Sequence, residues 1–179
     1  MVDPITLRRW MFRLLYLAIA IFVVFLRILP LDLSAGRWPG PDLLIVVAFA
    51  WVLRRPDYVP VLLVAGVLLA ADMLFLRPPG LWTALGVIGL EFLRSREHLS
   101  RDLPFMFEWA MVAIVLLAMT IAYRVILLVF VVGQPSFGLS LIELFATALS
   151  YPFVVVVSRW VFGVRKIAPG EVDQLGHAI

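Results

Sequence analysis

Apolar and polar positions along the chain fall into blocks, not into a repeating amphipathic pattern. Six apolar blocks run over 10–29, 42–53, 58–76, 81–93, 104–132 and 139–162. Pro30 closes the first, while Trp38-Pro39-Gly40-Pro41 opens the second and Arg54-Arg55-Pro56 ends it. Arg77-Pro78-Pro79-Gly80 follows the third block, the charged loop 94–102 the fourth, and Gly133-Gln134-Pro135 the fifth. The blocks are apolar on all sides, which predicts helices. In lipid a segment must satisfy its own backbone, and barrel strands would alternate with period two. Proline is accommodated in the first turn of a helix, and Pro41 and Pro104 fit that use.

Composition turns these blocks into membrane spans. The 179 residues are 64% hydrophobic and 15% charged, whereas a soluble domain carries roughly 25% charge and 45–50% apolar residues. The mean hydropathy is +1.06, and the excess apolar surface must face lipid. The expectation is an all-α membrane protein, a six-transmembrane-helix bundle forming one domain over 1–165, with a polar cytoplasmic tail at 166–179. A span needs about 20 residues. The second and fourth blocks fall short, and read as short or re-entrant helices whose flanking Trp38, Arg54 and Arg55, or Arg94 and Arg96, reach the interface. The fifth is long enough to tilt. Arg8 and Arg9 ahead of the first block resemble a secretory signal. The run is too long for one and no small-residue cleavage site follows, so it reads as a retained span.

Loop charge supplies an orientation. With the N-terminus inside, Arg8, Arg9, Arg54, Arg55, Arg94, Arg96, Arg101, Arg165 and Lys166 collect on the cytoplasmic side. Only Arg37 and Arg77 fall outside, as the positive-inside rule requires. This alternation favours six crossings over five and places both termini in the cytoplasm. Trp10, Trp38, Trp82, Trp109 and Trp160 sit near block ends, as an aromatic belt would.

Several function classes are excluded. The net charge is +3, but the basic residues are scattered, with no patch for nucleic acid. The chain lacks cysteine, and His98 and His177 are far apart in polar stretches, so no metal site is expected. No nucleotide, hydrolase or dinucleotide motif is present, so neither an enzyme nor a cofactor is expected.

Ionisable residues at bilayer depth cost roughly 2.5–3.5 kcal/mol each on insertion scales. Depth counting sorts them into an outer layer of Asp72, Arg124 and Glu143 and an inner layer of Glu91, Glu108 and Arg159. Arg124 is then expected to pair with Asp72 or Glu143, and Arg159 with Glu91 or Glu108. A substrate or ion path is the functional reading. Interhelical ion pairs or snorkelling side chains are preferred, because most of these residues lie within two turns of an end. Small residues four apart, Gly66/Ala70, Ala118/Ala122 and Ala146/Ser150, are expected to pack helices internally.

The stretch 41–56, with Pro41-Asp42 opening an apolar run that closes on Trp51, Arg54-Arg55 and Pro56, resembles the second span of the rod shape-determining protein MreD family. The next block, with Gly66 and Ala71-Asp72 before Arg77-Pro78-Pro79-Gly80, is similar to the family's glycine and its acid before a polar turn. The resemblance is specific over 38–93, and the polar tail 170–179 departs from it. It implies a non-catalytic inner-membrane subunit of the elongation machinery that builds the lateral wall of rod-shaped bacteria. Its partners would be the bitopic protein MreC, with MreB, RodZ and the RodA glycosyltransferase with its transpeptidase. MreD-like proteins are similar in fold to the substrate-binding S-components of vitamin transporters, so small-molecule uptake is the alternative. The Ala-x-x-x-Ala docking pattern of S-components is absent, since Phe22 lies four residues after Ala18. By the resemblance, Pro41, Asp42, Trp51, Arg54, Arg55, Gly66 and Asp72 carry structure or partner binding. In that scheme Asp42 sits at a helix start and Arg54-Arg55 anchors the cytoplasmic turn.

Overall fold

The computed structural model describes residues 4–29, 39–97 and 104–164. Arg37, Trp38, His98, Arg101, Arg165, Lys166, His177 and the tail lie outside the described residues. Within them the chain is all-helical: α1 Pro4–Ile28, α2 Leu43–Val52, α3 Val61–Leu74, α4 Leu81–Ser95, α5 Phe105–Val129 and α6 Phe137–Trp160. A short 3-10 turn, Pro56–Tyr58, joins α2 to α3. Three helical stretches are long and apolar enough to cross a membrane: Thr6–Ile28, Phe105–Val129 and Phe137–Trp160.

The other three helices are short, with 10, 14 and 15 residues. The third block is therefore shorter than expected. Pro60 stands in an extended conformation as the N-cap of α3, so the helix starts only after the two-proline turn. Pro41 and Pro104 likewise stand just outside their helices and not in the first turn. The first helix begins earlier than the apolar block, with Pro4 as its first residue and Arg8 and Arg9 inside it.

The helices alternate in direction. The upper end of the bundle carries the α3–α4 and α5–α6 turns, the C-terminus of α1 and the N-terminus of α2. The lower end carries the α2–α3 turn, where Arg9 pairs with Asp57 at 3.0 Å and Arg94 donates to the Val59 carbonyl. Helix α2 is the central element, in contact with α1, α3, α4 and α6. Every residue from Leu44 to Val52 is buried. At 1.5 Å per residue it is only about 15 Å long, half the thickness of a hydrocarbon core.

Close packing onto α2 comes from glycines on α4. A Cβ at Gly86 would lie 2.8 Å from Leu68 Cδ1 and 3.0 Å from Ile45 Cδ1. One at Gly89 would meet Phe49, Val115 and Met119 at 3.0–3.1 Å. The small pairs named from the sequence do something else. Gly66, Ala70 and Ala118 are exposed on the bundle surface, and a Cβ at Gly66 would meet nothing within 4 Å. The expected internal packing is therefore overturned for Gly66/Ala70 and for Ala118. Small size marks a packing glycine only where a neighbouring helix arrives.

Pro152 lies inside α6 and removes the N–H that would bond the Ala148 carbonyl four residues back. The Trp109 indole supplies the missing donor at 2.8 Å. Trp109 is thus a structural partner of α6, not a belt residue. Trp82 also turns inward, whereas Trp10 and Trp160 are exposed as the belt reading requires.

Candidate functional site

Buried charge gathers at both ends of α2. At the upper end Asp42 is the N-cap residue, yet its side chain makes no cap bond. Its backbone N–H donates to Thr147 Oγ1 at 3.0 Å. Its Oδ2 accepts from Arg77 Nη1 and Trp82 Nε1, each at 3.1 Å. Arg77 Nη2 also reaches Glu143 Oε1 at 3.3 Å, and Arg27 Nη2 reaches the same oxygen at 3.4 Å. Both guanidiniums lie over the Phe75 ring, and Arg77 also over Trp82, within cation–π distance. Burial desolvates Arg77 and works against its charge, but Asp42 and Glu143 outweigh this and raise its pKa above the ordinary range.

Asp42, Arg77, Trp82, Glu143 and Thr147 wall a half-open cavity of about 260 Å³, to which Tyr123, Arg124, Gln134 and Ser140 also contribute. Arg124 does not pair with Asp72 or Glu143 as expected. It donates to Ser140 Oγ at 2.6 Å and to the Pro135 carbonyl at 3.2 Å, and its guanidinium lies over Phe137. The reason is local: α5 ends in a tight turn that puts the start of α6 beside Arg124, while Glu143 lies one turn further on, beside Arg77 and Arg27.

Asp72 has a structural duty of its own. It is fully buried, and its Oδ2 accepts from Gly80 N, Thr83 N and Thr83 Oγ1 at 3.2, 3.1 and 2.8 Å. Gly80 is the N-cap of α4, with φ 84, a conformation that suits glycine. A glycine carries no capping side chain, so Asp72 caps α4 from α3.

Both helices that end at this cavity close with a non-glycine residue in the left-handed region, Leu76 and Val131, each at φ 54. The backbone bonds Arg77 N to Asp72 O and Val132 N to Leu127 O complete the turns. Such residues cost on the order of 1–2 kcal/mol where glycine would cost little. Strain of this kind is concentrated at functional sites.

At the lower end Arg54 points into the bundle and does not anchor a surface turn. Its Nη2 pairs with Glu108 Oε1 at 2.9 Å and its Nη1 bonds the Ala50 carbonyl. Tyr151 OH donates to Glu108 as well. Trp51 is wholly buried, packs edge-on to Phe12 and Phe162, and donates to Ser158 Oγ at 3.0 Å. The expected pairings of Arg159 give way to this arrangement. Glu108 is held by Arg54, and Glu91 pairs along its own helix with Arg94 at 3.1 Å. Arg159 is exposed and borders a cavity of about 550 Å³ shared with Arg54 and Glu108. Arg55 is half-buried in the turn, and Pro41 half-buried ahead of α2. Gly66 lies in an apolar surface groove between α1 and α3.

Arg27, Thr147 and Tyr151 were not picked out from the sequence, and Trp82 was read there as a belt residue. Arg77 was read as an outer loop charge, and Arg27 lies near the end of the first apolar block. Their signal was that a charge near a block end needs a partner as much as one at its centre. In comparisons with family models, curated proteins and solved structures, nothing matches this chain.

Proposed function

We propose that this protein is a non-catalytic scaffold subunit of a bacterial wall-elongation complex, similar in role to MreD, and that it holds an MreC-like bitopic partner in the cytoplasmic membrane. All six helices cross the bilayer in this reading, the lower end faces the cytoplasm with both termini, and the short α2–α4 region sits in a locally thin membrane. RodZ, MreB and RodA with its transpeptidase are the wider complex.

One observation carries the reading. Four of the seven residues that resemble the MreD pattern build the centre of the bundle: Asp42 and Arg54 close the two ends of α2, Trp51 packs its core, and Asp72 caps α4. A motif spent on architecture supports a role in holding other proteins in place. Deleting the gene from a rod-shaped host is expected to round the cells, and an MreC-like single-span protein is expected to co-purify in mild detergent. Single cysteines placed at positions 57 and 135 of this cysteine-free chain are expected to label from opposite sides of the membrane.

The polar upper cavity favours a second reading, uptake of a small molecule in the manner of an S-component. Unaltered cell shape together with a vitamin-dependent growth defect would establish that reading and end the scaffold one.

A further inference from the structure

Among the described residues, the cavity of about 550 Å³ at the lower end is lined by two guanidiniums, Arg54 and Arg159, against one carboxylate, Glu108. Arg54 and Glu108 are both more than nine-tenths buried and pair at 2.9 Å, so their charges offset each other. Arg159 is exposed and makes no hydrogen bond or ion pair among the described residues. Its place in the last turn of α6 suits a cation but brings no counter-ion. Glu91, the other acid expected to meet it, is held by Arg94. The rest of the wall is apolar, with Phe105, Pro152, Val155 and Val156 inside and Trp160 beside Arg159. From there the apolar surface continues up one face of α6. Leu149, Phe153, Val156 and Trp160 recur at helical spacing, each more than half exposed. At 1.5 Å per residue this stripe is about 17 Å long.

We propose that this cavity binds a phospholipid of net negative charge, with its phosphate on Arg159 and one acyl chain along the α6 stripe. A guanidinium suits phosphate through its paired donors, and an exposed tryptophan next to it sits at headgroup level. The charge of Arg159 selects the headgroup. A choline headgroup brings its own cation and is neutral as a whole, whereas a glycerol headgroup leaves the phosphate charge free to offset the guanidinium. The stripe selects a lipid over a soluble anion, because a soluble anion has no chain to lay on apolar surface. The inference goes beyond the scaffold reading and does not depend on it.

The test uses the full chain purified in mild detergent. Native mass spectrometry would measure retention of phosphatidylglycerol and phosphatidylcholine carrying the same acyl chains. The glycerol lipid is expected to be retained at least about fivefold better, the effect of one basic residue on an anionic lipid. Arg159→Gln is expected to abolish that preference, with its melting temperature in lipid-free detergent unchanged, and Arg159→Lys to keep most of it. Arg96→Gln removes another exposed arginine of the lower end and is expected to leave the preference intact. Soluble glycerophosphoglycerol, the headgroup without its chains, is expected not to compete. Equal retention of the two lipids overturns the proposal, as does an unchanged preference in Arg159→Gln. A loss in Arg96→Gln as large as in Arg159→Gln also overturns it, by showing a diffuse basic surface in place of a site. Competition by the soluble headgroup overturns it by showing an anion site that makes no use of the stripe.

Discussion

Replacing Asp72 by alanine removes the acceptor of three hydrogen bonds at the start of α4. Gly80 N, Thr83 N and Thr83 Oγ1 would all lose their partner, and Thr83 is buried, so water does not readily replace it. Hydrogen bonds to a charged acceptor contribute roughly 1.5–3 kcal/mol each. The sum is reduced because alanine also removes a desolvated carboxylate. A net loss of about 3 kcal/mol follows, or a fall of about 6–12 °C in melting temperature at the scale of this chain. Asparagine should behave differently. Its carbonyl oxygen can occupy the Oδ2 position and keep all three contacts, while its amide nitrogen takes the place of Oδ1, which already lacks a partner. A neutral amide is cheaper to bury than a carboxylate, so Asp72→Asn is expected to cost no more than about 1 kcal/mol. Thr83→Val should cost about 1 kcal/mol in the native chain and close to nothing beside Asp72→Ala. Thermal melts of the purified protein, followed by tryptophan fluorescence at fixed detergent and lipid, measure all four variants. If asparagine proves as damaging as alanine, or Thr83→Val costs the same in both backgrounds, the capping argument is wrong.

Four further outcomes follow from the packing and the turns. Gly89→Leu should be destabilising by more than about 2 kcal/mol, because its first added carbon already meets three side chains at 3.0–3.1 Å. Gly66→Leu in open space should leave the melting temperature unchanged or raised by helix propensity. Trp109→Phe should cost about 1–2 kcal/mol by stranding the Ala148 carbonyl, and Pro152→Ala should recover part of that loss by restoring the helical donor; a double-mutant cycle of melts measures the coupling. Leu76→Gly should stabilise by about 1 kcal/mol, since glycine adopts the left-handed turn at less cost.

Much of the fold was legible in the chain. An apolar block interrupted by Pro, Gly and Arg can only be a helix once it is in lipid, and all six blocks became helices close to their expected centres. The lengths were less legible. Pro56 and Pro60 shortened α3 because the intervening turn took up residues that an apolar count assigns to a helix. The candidate residues were legible as a set but not as pairs. Asp42, Arg54, Asp72 and Glu108 all proved buried and bonded, yet Arg124 turned to Ser140, Glu143 to Arg77 and Glu108 to Arg54.

Hydropathy and loop chemistry are properties of a segment taken alone, so the sequence by itself determined that the chain is helical and apolar enough for a membrane. It also determined where most helices begin and end. Only the tertiary structure decided that the 10-residue α2 is the centre of the bundle, that Gly86 and Gly89 and not Gly66 receive a neighbour, and which guanidinium meets which carboxylate. A helix apolar on every side has no polar face to say which way it turns. Its orientation is set by shape and by the few charges that must find partners, and both are decided only when the helices meet.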